Sequence, residues 1–121
     1  MASFTKVQLS GSTGGRLIKV ASTTQGSGTT IHATGTSSST LDEVWLYAVN
    51  SDTTDRKLTI EFGGTTAPDD GIEQTITAES GLILVIPGLI LAGTGAAART
   101  ITAFAATANV VLIGGFVNRI S

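Results

Sequence analysis

The chain has 121 residues, one ordinary domain's worth, of which 13% are charged and 41% apolar, with a formal net charge of −2. A mean hydropathy of +0.33 and scarce charge exclude disorder driven by net charge, and seven Lys and Arg with no cluster beyond Arg56-Lys57 argue against a nucleic-acid grip. The absence of cysteine removes disulfide frameworks, thiolate metal sites and cysteine nucleophiles; 20 Thr, 11 Ser and 15 Gly point to an all-β chain.

Residues 1–15 read as an N-terminal arm, ending in the turn-rich Ser10-Gly-Ser-Thr-Gly-Gly15, ahead of a single domain over 16–121. The arm lacks the basic region and apolar run of an export signal. Strands are predicted over 16–21 and 29–33, separated by a Ser/Thr/Gly loop, and a second low-complexity loop runs from 34 to 40. The aromatic strand 41–50 follows, then a turn at 50–55. Segment 57–62 alternates, with Leu58, Ile60 and Phe62 opposite Lys57, Thr59 and Glu61. A loop over 63–71 carries the Pro-Asp-Asp-Gly turn signal. Strands follow at 72–77 and 82–86, the latter stopped by Pro87-Gly88, with a brief pairing segment at 89–91 and closing strands at 99–105 and 109–120. The longest apolar stretch, 82–91, is about half the length needed to span a bilayer, so no membrane partner is expected.

About eight short strands with turns every 8–12 residues predict an antiparallel β-sandwich, jelly-roll-like in form. Three strands are apolar on both faces: 44–49, 82–86 and 110–117. A two-layer sandwich normally leaves one face of each strand in water. The expected remedy is another copy of the chain, hence a homo-oligomer. Phe4, Lys6, Val7, Leu9, Trp45, Tyr47, Arg99, Phe116 and Arg119 are the candidate interface residues, the two arginines as partners for acids across the contact.

Few residues offer chemistry. His32 is the one histidine, and its neighbours Ile31, Thr30 and Thr34 supply no nucleophile or second acid, so it reads as structural or exposed. Asp69, Asp70 and Glu73 hold clustered oxygens but match no calcium-loop spacing, which favours a Pro-initiated turn over a cation site. Asp42-Glu43 reads as a solvated strand entry. The glycine runs precede no helix and fit no phosphate cradle, and no nucleophile elbow is present. Trp45 and Tyr47 share one face of a strand, as a core or interface pair or as a platform for a sugar ring. No catalytic residue, cofactor or metal is assigned, and no enzymatic role is expected.

The wording of the chain adds to this. Leu9-Ser-Gly-Ser-Thr-Gly-Gly-Arg-Leu-Ile-Lys-Val20, Ile60-Glu-Phe-Gly-Gly-Thr-Thr-Ala-Pro-Asp-Asp70 and Ser80-Gly-Leu-Ile-Leu-Val-Ile-Pro-Gly-Leu89 resemble a family of small tailed-bacteriophage virion proteins. So do Ala103-Phe-Ala-Ala-Thr-Ala-Asn109 and Gly115-Phe-Val-Asn-Arg-Ile120. The resemblance implies a capsid decoration, or cement, protein. Such a protein would be a trimer that binds the major capsid protein on the outside of an icosahedral head and bridges capsomers. It would be made in the host cytoplasm and located on the virion surface. A tail, neck or fibre-tip component and a carbohydrate-binding module are the alternatives.

Overall fold

The computed structural model describes residues 3–121, so Met1 and Ala2 of the expected arm lie outside the described residues. Nine strands and no helix are found among these residues, so no helix is long and apolar enough to cross a membrane. They are β1 (Phe4–Gln8), β2 (Ile18–Lys19), β3 (Thr29–Ala33), β4 (Leu41–Asn50), β5 (Arg56–Phe62), β6 (Gly71–Ile76), β7 (Ile83–Ala92), β8 (Thr100–Ala105) and β9 (Val111–Ile120).

One sheet has the order β1-β9-β4-β7, with β2 also paired to β9; the other has the order β3-β8-β5-β6. All pairings are antiparallel. With β1 and β2 taken as two pieces of one edge strand on β9, the chain crosses between sheets as two Greek keys do, and the sandwich is a jelly roll. The core lies between the sheets. Val44, Leu46 and Ala48 of β4, Leu58 and Ile60 of β5, Ile101, Ala103 and Ala105 of β8, and Val111, Ile113 and Val117 of β9 are all buried there. Their period of two follows from the pleat, which sends alternate side chains to opposite faces.

Three segments differ from the sequence reading. The arm contains β1, whose five residues pair with β9 from Phe4 opposite Ile120 to Gln8 opposite Phe116. Its turn-rich end is pinned too: the Gly11 amide donates to the Ile31 carbonyl and the Ala33 amide to Ser10 Oγ. The 16–21 strand shrinks to two residues, because β9 has room for β2 only beyond the end of β1. The Pro87-Gly88 pair does not stop its strand: β7 runs through it for ten residues. β7 lies at a sheet edge, where proline's missing N–H need not enter a ladder, and the register against β4 skips Gly88 and then Val85 as bulges. Gly88 has φ 85°, which suits glycine.

Candidate interaction face and buried polar triad

The three strands read as apolar on both faces, β9, β4 and β7, are consecutive neighbours in one sheet. Their second faces therefore join into one surface. Register sets Trp45 opposite Phe116, Glu43 opposite Asn118, Leu41 opposite Ile120 and Tyr47 opposite Leu84. The Trp45 and Phe116 rings lie nearly parallel, 11° apart, with centroids at 6.2 Å. Lys6 of β1 places its Nζ 4.8 Å from the Phe116 centroid. Trp45 covers Gly88, where a Cβ would stand 2.9 Å from the indole. The rim is open: Phe4, Leu84 and Ile90 are 73%, 44% and 54% exposed.

Three polar groups on this face, those of Glu43, Trp45 and Asn118, bond one another. Glu43 Oε1 accepts from Trp45 Nε1 at 2.8 Å and from Asn118 Nδ2 at 3.0 Å. The Trp45 bond, then the Asn118 bond, hold the Glu43 carboxyl below its ordinary range against the opposing effect of burial. The face thus gathers large apolar side chains around one internally bonded polar cluster, as the centre of a protein interface does. The outer face of the other sheet is different. It carries Lys57, Thr59 and Glu61 on β5, Thr100, Thr102 and Phe104 on β8, and Glu73 and Thr75 on β6.

The candidate interface residues separate accordingly. Phe4, Lys6, Trp45, Tyr47 and Phe116 come together on the apolar face. Val7 packs against the core and Leu9 is buried in it, because the alternation along β1 turns them inward. Arg119 also turns inward and pairs with an acid of its own chain. Arg99 lies outside this face and donates from NH1 to the carbonyls of Ala92 and Gly93.

Asp42 is no solvated strand entry: it and His32 are each only 1% exposed. Asp42 on β4 and Arg119 on β9 are register partners, and His32 reaches them from the opposite sheet. Arg119 Nε donates to Asp42 Oδ1 at 2.8 Å and NH2 to Oδ2 at 3.0 Å, a bidentate pair. His32 Nε2 lies 2.8 Å from Asp42 Oδ2, and its Nδ1 accepts the Ser10 amide at 3.1 Å. With Nδ1 an acceptor, the proton sits on Nε2 and is donated to the aspartate. Both ring nitrogens are used and no hydroxyl points at either, so the triad ties the two sheets and the chain's start together and presents no nucleophile. Burial pushes the Asp42 carboxyl up, but hydrogen bonds from Arg119 and His32 outweigh it and hold the group below its ordinary range. The same pairing raises Arg119.

His32 can enter the core because the β3–β8 register shifts between Thr30 and His32, turning both Ile31 and His32 inward. Asp42 was detectable from sequence by parity, since it shares the inward phase of Val44, Leu46 and Ala48. Among Asp69, Asp70 and Glu73, Asp70 Oδ2 accepts the Thr66 amide within its own loop and Glu73 pairs with Lys57 at 2.6 Å. No group of three or more His, Cys, Asp or Glu placed to hold a metal occurs among the described residues. No protein-family model, curated protein or solved structure matches the chain.

Proposed function

We propose that this chain is a structural subunit of a virion, a decoration or cement protein that assembles with copies of itself through the outer face of the β1-β9-β4-β7 sheet and binds the outside of an icosahedral head. The observation that carries this reading is the contrast between the two outer faces, one centred on Trp45, Phe116 and Tyr47 with Leu84 and Ile90 exposed at its rim, the other rich in threonine and charge. Each of β4, β7 and β9 has ten residues. At ~3.3 Å per residue and ~4.8 Å of width per strand, these three strands and the five residues of β1 cover roughly 550 Å². Two copies covering such faces would bury about 1,100 Å², which clears the roughly 1,000 Å² expected of a biological interface.

The virion assignment rests on the resemblance of residues 9–20, 60–70, 80–89 and 103–120 to phage virion proteins, which implies a trimer and the major capsid protein as partner. The mechanism is thermodynamic and assigns the chain no catalysis. A subunit that binds only the expanded shell adds its binding free energy to that shell's stability. Many sites on one lattice reinforce one another through effective concentration. Co-sedimentation with expanded and unexpanded empty heads of the genome that encodes the chain tests this: selective binding to expanded heads, with a raised disruption temperature, is the expected outcome. Binding to neither sinks the cement reading.

The parallel Trp45–Phe116 pair gives a second reading, a platform for sugar rings. That reading needs the platform open in the native assembly. Iodide should then quench Trp45 fluorescence freely, whereas a subunit interface shields it.

A further inference from the structure

The outer face of the β3-β8-β5-β6 sheet carries a hollow of about 210 Å³, between the loop that contains Gln25 and the loop over 63–70. The Gln25 carboxamide donates to the Thr65 carbonyl and joins the two loops over the sheet. Register sets Phe104, Thr59 and Glu73 in one row across β8, β5 and β6, and Thr102, Glu61 and Gly71 in the next. Phe104, Thr59, Glu61, Glu73, Gln25 and Pro68 all line the hollow.

Glu61 is the unusual member. It is 2% exposed, although it sits on an outward-facing position. Its Oε1 accepts from Thr102 Oγ1 at 2.8 Å and its Oε2 from the Gly26 amide at 2.8 Å, both neutral donors. Among the described residues Asp42 and Glu61 are the buried acids, and no basic side chain lies within ion-pair distance of Glu61, whereas Asp42 has Arg119. The nearby lysine on its strand, Lys57, is bound to Glu73. A buried carboxylate without a cation is costly, and a cation that docks beside it recovers that cost.

The surroundings define which cation. The ring of Phe104 and the methyl groups of Thr59 and Ala67 suit an aliphatic stem, and an aromatic face attracts a positive head. Each Glu61 oxygen accepts one bond and keeps a lone pair for a further N–H donor, so an ammonium head can be received there beside the ring of Phe104. Among the described residues no third acid joins Glu61 and Glu73 to complete a metal cage. We propose that this hollow is a socket for the alkylammonium end of a lysine side chain on a protein partner. It lies on the sheet opposite the apolar face, so one subunit would have two docking elements facing opposite ways, as bridging requires. The proposal does not depend on the virion reading.

The test is a titration of ¹⁵N-labelled full-length protein with N-acetyl-lysine methylamide, followed at the amides of Gly26, Gly71 and Thr102. Saturable shifts are expected at a Kd of about 1–10 mM, the scale of one small fragment. N-acetyl-norleucine methylamide, which lacks the ammonium group, should bind at least about tenfold more weakly, as should lysine against Glu61→Gln. Where Glu61→Gln fails to fold, Phe104→Ala provides the same comparison. No saturable shift, or equal shifts from the norleucine analogue, overturns the proposal. So does n-butylammonium binding as tightly as the capped lysine, since the ligand would then be a free amine.

Discussion

At the scale of single residues, the Asp42–His32–Arg119 triad ties β3 of one sheet to β4 and β9 of the other. Asp42→Asn leaves Arg119 and His32 facing a neutral amide at a buried site, and should cost about 3 kcal/mol in urea denaturation, the usual loss on breaking a buried pair. The pH dependence follows from the direction of the Asp42 shift. Its folded value lies below the ordinary one, so its contribution is complete above the ordinary carboxylate range and is lost as pH falls through the folded value. Urea midpoints measured down an acid series should therefore fall more steeply for the native chain than for Asp42→Asn. A parallel fall would remove Asp42 from the account. This site was half legible in the sequence. Parity places Asp42 inside with Val44 and Leu46, but nothing local announces the register shift that turns His32 inward, and pairing with Arg119 needs 77 residues of chain to return.

At the scale of elements, β7 is where local signals misled. Pro87-Gly88 is ordinarily a stop, yet an edge position and two bulges let the strand continue. Trp45 then packs on the gap that Gly88 leaves. Gly88→Ala puts a methyl group 2.9 Å from the indole on a backbone at φ 85°, and should cost about 1–3 kcal/mol and shift Trp45 emission. Unchanged emission and stability would mean the indole does not rest on Gly88. Gly115 is less forgiving, because an added Cβ would lie 2.0 Å from the Trp45 carbonyl oxygen. The rim of β7 behaves oppositely. Leu84→Lys with Ile90→Lys alters exposed side chains, and should change monomer stability by no more than about 0.5 kcal/mol each while weakening self-association. Sedimentation velocity alongside thermal unfolding separates the two effects.

At the scale of the whole molecule, the antiparallel sandwich was legible because its signals are local: strand length, turn spacing and alternation each fix a piece. The excess of apolar positions on 44–49, 82–86 and 110–117 was equally visible. That these strands lie side by side was not, because adjacency in a Greek key joins segments distant in sequence. Their adjacency turns three separate surpluses into one face, and the face is the basis of the assembly reading. The opposing sheet leaves Lys57, Glu73 and Thr100 in solvent and covers Thr59 and Glu61 with its loops, so the proposed assembly would turn the apolar face toward its copies and the polar face away.

The most direct test of that account is the mass of the purified protein in solution, measured by multi-angle light scattering at micromolar concentration beside the Leu84→Lys/Ile90→Lys variant. The account predicts a stable oligomer, of three chain masses on the cement reading, and a shift toward single chains in the variant. A native chain that stays monomeric, or a variant that keeps the full oligomer, would contradict the claim that this face is covered by copies of the chain.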